Sequence, residues 1–357
     1  MNRRTLAALV CAALAVGALA LLQRLLMPKY QSGVIEGSMT EEYYRDEAPH
    51  EVLMVGDCEI YESFSPVTLF QEYGISSYLR GGPQQLAWHS YYLLEDALRY
   101  ETPRVVVYNV LALKYNKPQS EAYNRMNIDG MRWSGSKARC ILASMTPEEH
   151  FLDYLFPILR YHSRWAELTR DDFVHLFSKE LVTHSGYSMR ADVKPQTGFP
   201  PAMPLADYTL GDKAMGYLQK MADLCKEKGV ALVLVKAPTE YPHWYAQWDE
   251  QIVRFAQENG LQYVNFIPLQ QQIGLDMTQD TYDGGLHLNK QGAEKLSRYF
   301  GAWLKERFDL TDYRGDEAVS ALWAEKTAAY EAEYAQQLYE IETYGTLVSF
   351  GANALTN

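Results

Sequence analysis

The stretch VLMVGDCEIYESFSP, residues 52–66, decides how this chain is read. The apolar run EVLMV at 51–55 ends in Gly56-Asp57, the pattern of a buried strand running into a turn. Three more runs repeat it: RVVVYNV at 104–110, VALVLV at 230–235 before Pro238, and a shorter one at 261–266. Amphipathic segments alternate with them. One at 86–100 carries Leu86, Tyr92, Leu93, Ala97 and Leu98 on one side and is broken by Pro103. Others at 213–228 and 249–258 end at Gly229 and Gly260, and one at 289–308 has Asn289 as its cap. Continuous apolar strands alternating with such helices imply a parallel sheet covered on both faces, with right-handed crossovers. The expected fold is therefore α/β, a three-layer doubly wound sheet. Ligands of such sheets bind beyond the carboxyl ends of the strands, so residues just after strands are the candidates.

Composition narrows the function classes. The chain has 357 residues, 47% hydrophobic and 22% charged, as a globular protein does. Its formal net charge of -12 argues against nucleic acid and against docking on anionic lipid through a basic patch. The 27 tyrosines and 7 tryptophans suit a sugar or peptide surface, or ordinary packing.

The N-terminus sets the compartment. Arg3 and Arg4 precede an uncharged stretch, 5–22, whose apolar character continues to Met27. That length fits a helix crossing a bilayer, with the positive flank inside and the bulk of the chain extracytoplasmic. A signal peptide cleaved near Ala18-x-Ala20 is the competing reading, and it gives the same compartment. The layout is then a transmembrane anchor at 1–27, a polar connector at 28–50, the α/β domain at 51–310, and a helical tail at 311–357. Within the domain, 114–207 is a long insertion read as a cap over the sheet's edge. The tail helix, 316–344, either packs on the domain or mediates association. The cysteines are Cys11, Cys58, Cys140 and Cys225, with no CxxC pair; three outside the membrane leave at least one free thiol.

Two segments carry the chemistry: Gly56-Asp57-Cys58 after the first strand, and TYDGGLHLNKQGAEKLS at 281–297. Together they resemble the SGNH/GDSL hydrolase superfamily over about 52–304, and more particularly bacterial membrane-anchored SGNH-like proteins of envelope-polymer acylation. The resemblance implies a flavodoxin-like sheet, a nucleophile in the first turn and an Asp–His pair near the C-terminus. It places Cys58 as nucleophile where the family has serine, His287 as general base and Asp283 as its orienting carboxylate. Asp283 and His287 are separated by three residues rather than two, the extra glycine of Gly284-Gly285 making a bulge; Asp280 is the other acidic candidate. A thiol at a helix N-terminus is an activated nucleophile, while Asp57 and Glu59 beside it raise its pKa.

The same resemblance implies an oxyanion hole from the Cys58 N–H, Gly82 or its neighbour Gly81, and the Asn109 side chain. Lys236, at the carboxyl end of its strand, and Arg160 and His162, in the insertion, are candidate substrate-binding residues; a salt bridge or a solvated helix face is the alternative for each. Tyr241, Trp244 and Trp248 either form a glycan platform or pack. No metal motif or phosphate-binding loop is present in the sequence, and no cofactor is expected. The expected function is an acyl-ester hydrolase or O-acyltransferase acting on a cell-envelope glycan or polymer, with a membrane-bound O-acyltransferase as the partner that the resemblance implies. The alternative is an inactive SGNH-fold component of such a system.

Overall fold

The computed structural model describes residues 2–28, 39–177 and 181–348. Five strands form one parallel sheet: β1 Val52–Gly56, β2 Ser77–Gly81, β3 Val105–Asn109, β4 Ala231–Lys236 and β5 Gln262–Asn265, in the order β2-β1-β3-β4-β5. The strand order reverses between β1 and β3. β1 and β3 are buried along their whole length, and β4 from its second residue. Their apolar runs are unbroken because both faces are covered.

Helix α1, Arg3–Leu26, precedes the domain, and seven helices frame the sheet: α2 Cys58–Ser63, α3 Pro66–Tyr73, α4 Ala87–Ala97, α5 Asp212–Lys228, α6 Ala246–Asn259, α7 Lys290–Arg307 and α8 Glu317–Tyr344. Alternate strand residues divide the core in two. Val52, Met54, Val107 and Val235 meet α3, α7 and α8. Leu53, Val55, Val106 and Leu234 meet α4, α5 and α6. The three-layer doubly wound expectation is met.

β2 was not expected. SYLRG contains no apolar run, and its Arg80 is charged. The fold buries that arginine by pairing it with Asp96 at 3.2 Å and laying it 4.1 Å from the Tyr43 ring. The edge is covered as well: the Leu79 N–H donates to the Ser185 carbonyl at 2.9 Å.

The tail helix packs on the domain. Trp323 stacks on Phe70 at 4.8 Å with an 8° interplanar angle, and its indole N–H donates to Ser76. The last nine residues of the expected tail lie outside the described residues.

Among the described residues, α1 is the one helix long and apolar enough to cross a membrane. It continues without a break through the Ala18–Ala20 pattern. The connector expectation needs correction in its second half. Helix Met39–Glu42 and the turn Tyr43–Arg45 are buried against the domain, with Thr40 donating to the carbonyls of Met126 and Asn127. Residues 29–38 lie outside the described residues.

The insertion divides into three parts. Helix Gly135–Ser144 lies over α4, and helix Glu121–Ile128 packs on it and on Met39–Glu42. Helices Phe151–Leu155, Ile158–Tyr161 and Arg170–Phe177 gather beside the end of α1. A strap from 183 to 196 returns across the β2 edge to the 277–284 loop: Ser188 donates to the Tyr61 carbonyl, Lys194 to that of Thr281 and Gln196 to that of Met277. Only the strap serves as the cover expected of the whole insertion.

Candidate active site

Cys58 is the first residue of α2, directly beyond the carboxyl end of β1. Asp57 caps the helix: its carboxylate accepts the Glu59 N–H at 3.3 Å, and its carbonyl accepts the Ile60 N–H at 2.9 Å. The Cys58 N–H is the first-turn donor left without a partner among the described residues.

His287 arrives from the loop between Thr281 and Leu288, which pair as an antiparallel bridge. Gly284 and Gly285 have φ of +83° and +100°, left-handed values that other residues rarely adopt. They let the chain fold back on Asp283. Asp283 Oδ1 accepts the N–H of Leu286 at 3.1 Å and of His287 at 2.9 Å, while Oδ2 lies 2.6 Å from His287 Nδ1. The second glycine of the stretched spacing is what makes this turn. With Nδ1 held, Nε2 is the nitrogen left for Cys58, whose thiol lies close enough to the imidazole for each to shift the other's titration. Asp280, the other acidic candidate, is buried and paired with Lys295 at 2.6 Å.

A second carboxylate stands at the same imidazole. Glu62 Oε2 lies 3.3 Å from His287 Nδ1 and accepts the Tyr282 hydroxyl at 2.5 Å. The Tyr282 ring lies nearly parallel to the imidazole at 6.0 Å and has the Arg190 guanidinium 4.2 Å from its centre. Arg190 is itself held by both oxygens of Asp192. Glu62, Tyr282 and Arg190 were not singled out in the sequence. Glu62 sits four residues after Cys58, the spacing that puts two side chains on one helix face, and that signal was readable. Arg190 reaches the site from the strap and has no local signal.

The electrostatics follow from this crowding. Although Cys58 as a residue is only half-buried, packing around its sulfur pushes the thiol up to about 11. Asp57 and Glu62 add to the rise, and His287 opposes it. For His287 burial favours the neutral ring, yet Glu62, Cys58 and Asp283 together raise it well above its ordinary value. Both shifts favour the protonated forms, thiol and imidazolium.

The expected oxyanion and substrate groups fare differently. Asn109 is fully buried: its amide donates to Asp57 Oδ1 at 3.0 Å and Glu59 Oε2 at 2.9 Å, and its carbonyl accepts the Ala237 N–H. Both N–H bonds are used, so the expectation of an oxyanion donor there is corrected. The Gly82 N–H is likewise turned to the Gly56 carbonyl at 3.4 Å. Gly81 pairs with Gly56 in the sheet. Of the expected hole, the Cys58 N–H remains without a partner among the described residues.

Lys236 is fully buried, and Nζ is held by Glu59 Oε1 at 2.7 Å and by the carbonyls of Ala237 and Thr239. Three acceptors use its three N–H bonds, so it ties β4 to α2 rather than facing a substrate. Arg160 pairs with Glu121 at 2.6 Å, and His162 is exposed with Nδ1 on the Leu159 carbonyl. Both belong to the part of the insertion beside α1, and among the described contacts neither touches Cys58, His287 or Asp283. Trp244 and Trp248 pack on each other at 5.5 Å and join the core under α6. Cys140 and Cys225 are buried single thiols. Among the described residues, no group of three or more His, Cys, Asp or Glu is arranged to hold a metal ion.

Fold and site together define a class: a doubly wound α/β protein with a Cys–His–Asp cluster at the carboxyl edge of its sheet. No family model matches the sequence, and no curated protein matches it.

Proposed function

We propose that the chain is a membrane-anchored, extracytoplasmic SGNH/GDSL-type enzyme that hydrolyses or transfers acyl esters on a cell-envelope glycan or polymer. The observation that carries this reading is the relay at one sheet edge. Cys58 neighbours His287 closely enough for each to shift the other's titration, and His287 Nδ1 is held 2.6 Å from Asp283 Oδ2. In the reaction the neutral imidazole takes the thiol proton as sulfur attacks the acyl carbonyl. The alcohol leaves with that proton, and a thioester remains on Cys58. Water or an acceptor hydroxyl, deprotonated by His287, then releases the acyl group. Asp283 and Glu62 stabilise the imidazolium formed in each half, and the Cys58 N–H at the helix N-terminus supports the oxyanion. The polar partner of such a protein in transfer is a membrane-bound O-acyltransferase that delivers the acyl group. The length and hydropathy of α1 support the anchor.

A second reading rests on specific observations. The Asn109 amide and the Gly82 N–H are committed elsewhere, and the thiol is pushed up to about 11. Both suit an SGNH-fold component that binds envelope polymer without turning it over. One experiment separates them. Full-length protein in detergent is assayed for p-nitrophenyl acetate turnover and for acetate release from an O-acetylated glycan, beside Cys58→Ala and His287→Ala. Enzymatic function requires turnover that both substitutions abolish. Equal rates in all three proteins leave the binding reading.

A further inference from the structure

We propose that the insertion helices between Phe151 and Phe177 lie in the membrane interface beside α1 and set the height of the domain above the bilayer. The inference rests on the anchor reading of α1. Residues Arg3 to Leu21 are all exposed, and burial begins at Leu22. Counted from Thr5, beyond the Arg3-Arg4 flank, about 20 residues of helix rise about 30 Å. A hydrocarbon core is about 30 Å thick. The bilayer boundary therefore falls at residues 22–28, where the insertion packs. There Arg164 Nη1 donates to the Leu26 carbonyl at 2.7 Å, and Arg164 Nη2 is paired with Asp172.

At that level the insertion presents apolar side chains outward. Leu152, Leu159, Trp165, Phe173, Val174 and Phe177 are exposed, from 45% for Val174 to 82% for Phe177. Single exposed apolar residues are ordinary, but a cluster on short helices against an anchor is a lipid-facing surface. A cleft of about 540 Å³ lies between α1 and the insertion, lined by Gln23, Met27, Leu155 and Leu176 together with charged residues such as Arg24 and Lys137. Trp133 and Arg132 stand on its wall, residue types favoured at a membrane interface. Residues 151–177 hold three arginines against four acidic side chains, so apolar burial rather than charge drives the seating, and a zwitterionic bilayer suffices.

The test uses the full chain with Cys11 and Cys58 replaced by alanine, reconstituted in phosphatidylcholine vesicles. A nitrobenzoxadiazole label is placed at Leu14→Cys, Trp165→Cys, Phe173→Cys or Glu258→Cys. Glu258, exposed on α6, marks the far edge of the sheet. Quenching by lipid carrying a nitroxide high on the acyl chain is then measured. The expected result is strong quenching at Leu14 and several-fold more at Trp165 and Phe173 than at Glu258. Quenching at Leu14 with only the Glu258 level at both insertion sites overturns the inference and leaves the anchor standing. A blue shift at those sites without lipid quenching also overturns it, in favour of a protein partner. No quenching at Leu14 removes the anchor reading and this one with it.

Discussion

Glu62 and Cys58 stand one turn apart on the same short helix, and the Glu62 carboxylate reaches back to within 3.3 Å of the imidazole that neighbours the Cys58 thiol. His287 thus has two carboxylates at Nδ1, Asp283 and Glu62. Asp283 belongs to the turn that orients the ring. Glu62 adds charge, and it is the leading attraction holding the ring protonated against burial. In the proposed reaction only the neutral ring accepts the thiol proton, so the rate rises with pH through the raised His287 value. Glu62→Gln removes one charge. The rising limb of the pH–rate profile for ester hydrolysis is expected to move about one pH unit lower. An unmoved limb in a folded Glu62→Gln protein removes Glu62 from the control of His287.

The thiol itself offers a second measurement. Because Cys58 is pushed up to about 11, iodoacetamide should alkylate it slowly at neutral pH and progressively faster as the pH rises. His287→Gln removes the group that lowers the thiol, so alkylation slows further. Cys140 and Cys225, each buried and pushed up to about 12, should stay unmodified until the protein unfolds. Peptide mass mapping across a pH series reads all three. Rapid neutral-pH labelling of Cys58 would contradict the crowded site described above.

Lys236 and Glu59 form a fully buried ion pair, and its worth is structural. Lys236→Met leaves Glu59 with Asn109 and Thr239 but no paired cation, Lys114 acting on it only at longer range. The expected loss is about 3–5 kcal/mol, the usual result of breaking a buried pair from one side. Urea unfolding measures it. Adding Glu59→Gln should restore part of that loss, since the remaining groups are then neutral. A Lys236→Met protein as stable as wild type would return Lys236 to the list of substrate candidates.

What could be read in the sequence divides along a physical line. β1, β3 and β4 were legible because burial on both faces leaves a continuous apolar run. β2 was not, because Arg80 becomes a core residue only through Asp96 and Tyr43, both remote in sequence. Cys58, Asp283 and His287 were legible because each site half is local: a strand-to-helix turn, and a five-residue loop. Asn109 and Lys236 sit at the correct edge, as expected, but whether a polar group there faces substrate or structure depends on neighbours from other strands. Arg160 and His162 were misplaced because the path of a long insertion is fixed by its distant contacts with α1 and the segment around Glu121. Glu62 needed only helical spacing to be found.

Gly285 tests whether the Asp283–His287 turn is the source of the site's geometry. At φ +100° a Cβ would meet Phe199 Cζ at 2.8 Å and Gln196 Cγ at 3.0 Å, so alanine must distort both the backbone and the strap segment over it. Such strain costs about 1–3 kcal/mol. The turn moves with it, and with the turn go the two N–H bonds to Asp283 and the angle of the imidazole. A displacement of this kind lowers the rate by on the order of 10- to 100-fold. Gly229→Ala is the matched control: its φ is +67°, nothing lies within 4 Å of the added Cβ, and it caps α5 away from the site. Both variants should lose stability in thermal unfolding, but only Gly285→Ala should lose ester turnover. Equal turnover in the two would show that the site does not depend on this turn.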